Sequence, residues 1–165
     1  PQIVLPKELM SASAWEKINS ATLTAVQTNA GKVRVAVSRD LKDWFTWDGA
    51  AWLSIGSLSA DTTGATALIQ SGMTPAALNA VTAAQWGQLF ASTNNVPDRI
   101  AFAFALDVTD PAVDVSSIDK LTLNVDNASS WKLQTPAEVE IRWNSNSITF
   151  RTVTAGNYKL AYQHP

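Results

Sequence analysis

The chain has 165 residues, a formal net charge of −2 and a pI near 5.3, which favours one domain able to bury a core without staples. It has no cysteine, so disulfides, thiolate chemistry and Cys-ligated metals are excluded, and no basic run marks it for nucleic acid. Only 16 % of residues are charged against 46 % hydrophobic, a balance that suits a β-rich extracellular or particle protein better than a cytosolic enzyme.

Residues 1–30 read as an N-terminal segment or connection and 31–165 as a β-sandwich domain. No apolar run reaches the ~18 residues of a membrane span, and no basic-then-apolar leader is visible. Pro6-Lys7-Glu8-Leu9 reads as the opening of a short helix with Pro in its first turn. Trp15 and Ile18 then serve as anchors. From Leu23 the pattern has period two. Leu23 to Thr28, the turn signal Asn29-Ala30-Gly31, and the Val33, Val35, Val37 stripe together predict a hairpin.

A second hairpin follows. Trp44-Phe45-Thr46-Trp47 leads into Asp48-Gly49, and Ala50 to Ile55 leads out, with Gly49 supplying positive φ. Two short helices are expected at about 75–80 and 83–91. Thr74-Pro75 reads as an N-cap with Pro at the first helical position, and Thr82-Ala83-Ala84-Gln85 as a capping box. Val81, Trp86, Leu89 and Phe90 then face the core. Ile100, Phe102, Phe104, Leu106 and Val108 alternate with Ala101, Ala103, Ala105 and Asp107, so the small face must meet another sheet or a helix. Leu121, Leu123 and Val125 form a further stripe. Trp131–Leu133, Val139–Trp143, Ile148–Thr152 and Asn157–Tyr162 complete the strands, with turns at Asn144-Ser145-Asn146 and Ala155-Gly156-Asn157. The expected class is mostly β, a β-sandwich of jelly-roll-like type with two short helices between about 75 and 91.

The only histidine is His164, a poor position for a triad base. Asp107, Asp110, Asp114, Asp119 and Asp126 crowd one stretch. Turn punctuation is the preferred account of them, with an oxygen-ligated Ca²⁺ site as the alternative. No cofactor is expected, and fourteen acids alone identify no glycosidase pair. Seven Trp residues are the more informative feature. On the second hairpin, Trp44 and Thr46 share one face, Phe45 and Trp47 the other. At least one aromatic is therefore expected at the surface. Trp44, Trp47 and Trp52, with Arg39 and Asp43, form the candidate ligand or interface group, suited to sugar stacking or a subunit contact. The competing account packs Trp47 against Trp52 as a cross-strand core pair.

Four stretches carry a resemblance. They are Ser38–Ile55, Ser71-Gly72-Met73-Thr74 through Leu78 to Thr82-Ala83-Ala84-Gln85-Trp86, the strand Ile100–Asp107, and Ala155-Gly156-Asn157-Tyr158-Lys159. In this order they resemble β-sandwich modules of tailed-bacteriophage structural proteins of tail, fibre or head-decoration type. The resemblance spans about residues 32–162, and the first thirty residues do not fit it. It implies a non-catalytic virion protein, bound to other virion subunits, often oligomeric, and in some members contacting polysaccharide on the host surface. A carbohydrate-binding module of a secreted bacterial protein is the alternative. A glycan-degrading enzyme ranks last.

Overall fold

The structure, a computed structural model, describes residues 1–11, 15–127 and 139–153. They fall into two compact units, Pro1–Ala128 and Ser129–Pro165. The division expected near residue 30 lies inside the first unit, at the end of a long strand. The fold is mostly β, and its strand pairs are antiparallel.

In chain order the strands are β1 (Gln2–Val4), β2 (Met10–Ser11), β3 (Trp15–Thr28), β4 (Lys32–Ser38), β5 (Trp44–Trp47) and β6 (Trp52–Gly56). Helices α1 (Thr62–Ser71), α2 (Pro75–Asn79) and α3 (Ala83–Leu89) follow. Then come β7 (Arg99–Asp107), β8 (Val115–Asn127), β9 (Val139–Asn144) and β10 (Ser147–Thr152). The main sheet has the order β1-β7-β4-β5-β6, with β2 also on β7. β3 and β8 form a separate two-stranded ribbon. β9 and β10 form the hairpin of the second unit, closed by Ser145 and Asn146.

Sheet and ribbon face each other across the larger core, in the manner of a sandwich. Val33, Val35 and Val37 of β4 and Ile100 and Phe102 of β7 meet Ile18, Ala21 and Leu23 of β3 there, together with Leu78, Val81, Trp86, Leu89 and Phe90. β4 lies inside the sheet, and every residue from Val33 to Ser38 except Arg34 is buried. That burial on both faces explains its run of valines. Beyond the reach of β5 its open edge is closed by Met73, whose N–H and C=O exchange bonds with Val35 at 2.9 Å each.

The opposite face of the sheet is made of small residues. Ala36, Ala101, Ala103 and Ala105 pack with Leu68 of α1 and with Trp44. The alternation in β7 thus meets a helix on its alanine side. Phe104 is only half-buried, so the centre of the bulky stripe is Ile100 and Phe102.

Helix α1 is absent from the two helices expected. Thr, Gly and Ser give Thr62–Ser71 a poor intrinsic propensity, and tertiary packing decides instead. Asp61 caps it, its carboxylate accepting from the Thr63 and Gly64 N–H groups at 2.9 and 3.1 Å. The other two helices start as their caps dictate. Thr74 Oγ1 accepts from the Ala77 N–H at 3.1 Å. Thr82 and Gln85 form a reciprocal capping box.

Three further expectations are corrected. Residues 6–9 form a bend between β1 and β2 rather than a helix, because both strands are held by the edge of β7. β3 and β4 flank a turn but do not pair: β3 pairs with β8, and β4 with β5 and β7. The link at 29–31 is an arch between layers. The Trp-rich hairpin has the register Trp47↔Trp52, so its loop has four residues, Asp48 to Ala51. Asp48 Oδ1 braces that loop by accepting from the Ala50 and Ala51 N–H groups at 2.7 and 2.8 Å. Gly49 has φ +105° with open space around it, so strain alone opposes a side chain there. Gly49→Val should lower stability by about 1–2 kcal/mol, read as a fall in melting temperature; an unchanged value would contradict the positive φ.

Candidate functional site

Trp44 is 2 % exposed and packed on the α1 side of the sheet. Trp47 is 9 % exposed and belongs to the larger core. The sequence places them on opposite faces, and both faces are covered. Trp44 is covered by α1, the layer the sequence did not announce, and the partly exposed aromatics of the hairpin are Phe45 and Trp52. Trp52 is half-buried, with its ring edge-on to Trp47 at 5.5 Å between centroids and 5.1 Å from Trp86. Its indole N–H donates to the Gln85 carbonyl at 2.7 Å. Trp86 continues the row to Phe102 at 6.3 Å. These rings join the hairpin to α3 and the sheet as a core ladder.

Arg39 works inside the fold as well. Its Nη1 donates to the Leu89 carbonyl at 3.0 Å and Nη2 to Ser92 Oγ at 2.7 Å. Its guanidinium carbon lies 5.3 Å from the centre of the Phe90 ring. A cation on the last carbonyls of α3 is favourably placed. Asp43 is exposed beside the buried Trp44. The five candidate residues therefore do not converge on one open surface.

Within the acidic stretch Asp107 ends β7 and Asp119 and Asp126 stand on β8, so turn chemistry is confined to Asp110 and, at its centre, Asp114. Its Oδ1 accepts from the Ala30 N–H at 3.0 Å, and Oδ2 from the Thr109 and Asp110 N–H groups at 2.8 and 2.7 Å. This one carboxylate ties the β3–β4 arch to the β7–β8 loop. Among the described residues no three His, Asp or Glu side chains are grouped to hold a metal ion. His164 lies outside the described residues, as do Trp131–Leu133 and Asn157–Tyr162.

Four carboxylates share the pattern. Backbone N–H groups of Asp43 and Lys42 hold Asp40 below the usual carboxylate range. Those of Ala51 and Ala50 do so for Asp48, and those of Asp110 and Ala30 for Asp114. The Ser59 hydroxyl and the Gly64 N–H do so for Asp61. A carboxylate whose folded pKa is depressed contributes stability above its unfolded pKa, about 3.9, and loses it as pH falls through the folded value. Urea unfolding should therefore give a flat stability from pH 7 to about 4.5 and a decline below about 4. Asp114→Asn should make that decline shallower; a decline of unchanged slope would contradict the assignment.

A polar groove of about 560 Å³ lies between the start of β3, the end of β8 and α3. Glu16, Lys17, Gln88, Asn94, Asn95 and Asp126 line it with other residues. Asp126 is shared by Lys17 Nζ at 3.5 Å and Asn19 Nδ2 at 2.7 Å. Such amide and carboxylate groups suit a hydroxyl-rich ligand, but no aromatic platform is among the lining residues.

The remaining feature is the ribbon, whose two edges differ. The outer edge of β3 lies against α2 and α3. There the Asn79 side chain acts as a substitute strand. Its Oδ1 accepts from the Leu23 N–H at 2.7 Å, and its Nδ2 donates to the Leu23 carbonyl at 3.3 Å. Asn79→Ala should cost about 1–2 kcal/mol, because it leaves the Leu23 pair unsatisfied; an unchanged midpoint in urea would rule out that role. The outer edge of β8 has no strand beside it among the described residues. Sequence reasoning missed this edge, since strand order cannot be read from alternation. No helix among the described residues is long and apolar enough to cross a membrane. Compared with family models, curated proteins and solved structures, the chain matches none.

Proposed function

We propose that this chain is a non-catalytic structural module of a tailed-phage virion that works by assembling with other subunits. The observation that carries the assembly part is the outer edge of β8, which has no strand beside it among the described residues and carries half-buried Leu121, Leu123 and Val125. An unpaired strand edge is a template for another chain. Asp40, Asp48, Asp61 and Asp114 are held in turns and a helix cap by their hydrogen-bond donors, so the fold accounts for these four acids without a reaction. The virion setting rests on the resemblance of the hydrophobic skeleton.

The polar groove favours a second reading, a carbohydrate-binding module. Light scattering on the purified chain, repeated with a panel of bacterial surface polysaccharides, tests both. A stable oligomer supports assembly, and binding of a surface polysaccharide adds host contact. A strict monomer that binds a plant or storage polysaccharide would overturn the virion reading.

A further inference from the structure

We infer that the β8 edge is a homodimer seam, in which β8 pairs antiparallel with β8 of a second copy around a two-fold axis through Leu123. This rests on the assembly reading and names its partner.

Leu23 turns its N–H and C=O to Asn79 and so away from β8. Leu23 and its opposite residue Leu121 are therefore a non-hydrogen-bonded pair of the ribbon. Leu121 then turns its own N–H and C=O to the outer edge of β8, and by the period of two so do Leu123 and Val125. The irregularity in the ladder at Ile18–Ser20 places its extra residue on β3, leaving β8 regular there.

The side chains select the partner. Ile118, Leu121, Leu123 and Val125 face the core yet stay half-exposed along this edge. On the outer face β8 shows Lys120, Thr122, Asn124 and Asp126, opposite Thr24, Thr22, Ser20 and Lys17 of β3. A lysine on an edge strand normally discourages pairing. A two-fold axis at Leu123 removes that objection. It sets Leu121 opposite Val125 and Leu123 opposite its own copy on the apolar face. On the outer face it sets Lys120 opposite Asp126 twice and Thr122 opposite Asn124 twice. The alternative axis at Thr122 satisfies the same backbone groups but leaves Lys120 opposite Asn124. Charge complementarity therefore chooses Leu123. The product is a continuous four-stranded sheet, β3-β8-β8-β3, with a self-complementary interface.

Sedimentation of charge variants of the full chain tests this seam. Lys120→Asp sets Asp against Asp across the axis, and Asp126→Lys sets Lys against Lys. Each alone should raise the dimer Kd roughly tenfold or more, since like charges are directly opposed twice. Mixed in equal amounts, the two variants restore both pairs and should form a heterodimer near the parent affinity. A dimer that survives each substitution, or variants that fail to combine on mixing, would overturn the seam. If circular dichroism shows Asp126→Lys to be misfolded, a cysteine pair decides, because the natural chain has none. Across an axis at Leu123 the Cα separation is about 5.5 Å, within disulfide reach. Leu123→Cys should crosslink under oxidation and Thr122→Cys should not; the opposite pattern overturns the register. An oligomer indifferent to all these changes leaves the assembly reading standing and sinks only this seam. A parent chain that is monomeric at every concentration sinks the seam, and the polysaccharide panel then judges the wider reading.

Discussion

Trp86→Ala is expected to lower the unfolding free energy by about 3–5 kcal/mol, the range for a fully buried aromatic cut to alanine. Trp86 is 0 % exposed and is the ring at which three elements meet. It touches Trp52 of β6 at 5.1 Å and Phe102 of β7 at 6.3 Å, while standing on α3. Its removal leaves a cavity that rigid sheet residues cannot collapse to fill. The indole N–H has no hydrogen-bond partner in the core, so the ring serves through packing alone. Trp86→Phe keeps most of that packing and removes the unpaired donor, and should cost far less than the alanine change. Urea denaturation followed by circular dichroism measures both. A loss below about 1 kcal/mol for alanine would contradict the ladder as the centre of the core.

Gly31→Ala is the second large effect, about 3 kcal/mol, at the upper end for overpacking. A Cβ at Gly31 would lie 1.9 Å from the Val115 carbonyl oxygen, and backbone cannot swing aside as a long side chain can. The surrounding bonds leave little slack. Asn29 Nδ2 donates to the Val113 carbonyl at 2.5 Å, the Ala30 N–H to Asp114 at 3.0 Å and the Val33 N–H to Gln27 Oε1 at 2.7 Å. One methyl group must push the arch off the start of β8. Equal midpoints for the parent and Gly31→Ala would contradict the close approach.

The arch also shows where sequence reading succeeds and stops. Local signals held: the turn at 29–31, the caps at Thr74 and Thr82, and the four core residues Val81, Trp86, Leu89 and Phe90 are all present. Each depends on neighbours within a few residues. Pairing across layers was not legible, because alternation in β3 is the same whether its partner is β4 or β8. The loss of α1 had the widest consequence. Its Thr-rich segment has weak helical propensity, and without it Trp44 looks available to solvent. The small face of β7 did call for a covering element, but periodicity could not say that residues 62–71 supply it. The candidate site suffered from the same gap. Trp44, Trp47 and Arg39 are used within the fold, and the open β8 edge emerges only when strand order and the Asn79 plug are known.

Hydrogen exchange at the Leu121, Leu123 and Val125 amides, followed as the chain is diluted, tests assembly through this edge most directly. Strong protection is expected at high concentration and fast exchange below the dimer Kd, while Val35, bonded to Met73, and Ala103, paired with Ala36 in the main sheet, stay protected throughout. Protection of the three amides at every dilution would mean that another part of the same chain covers the edge, and fast exchange in a sample that scatters as an oligomer would mean that assembly uses a different surface; either result rules out assembly through β8.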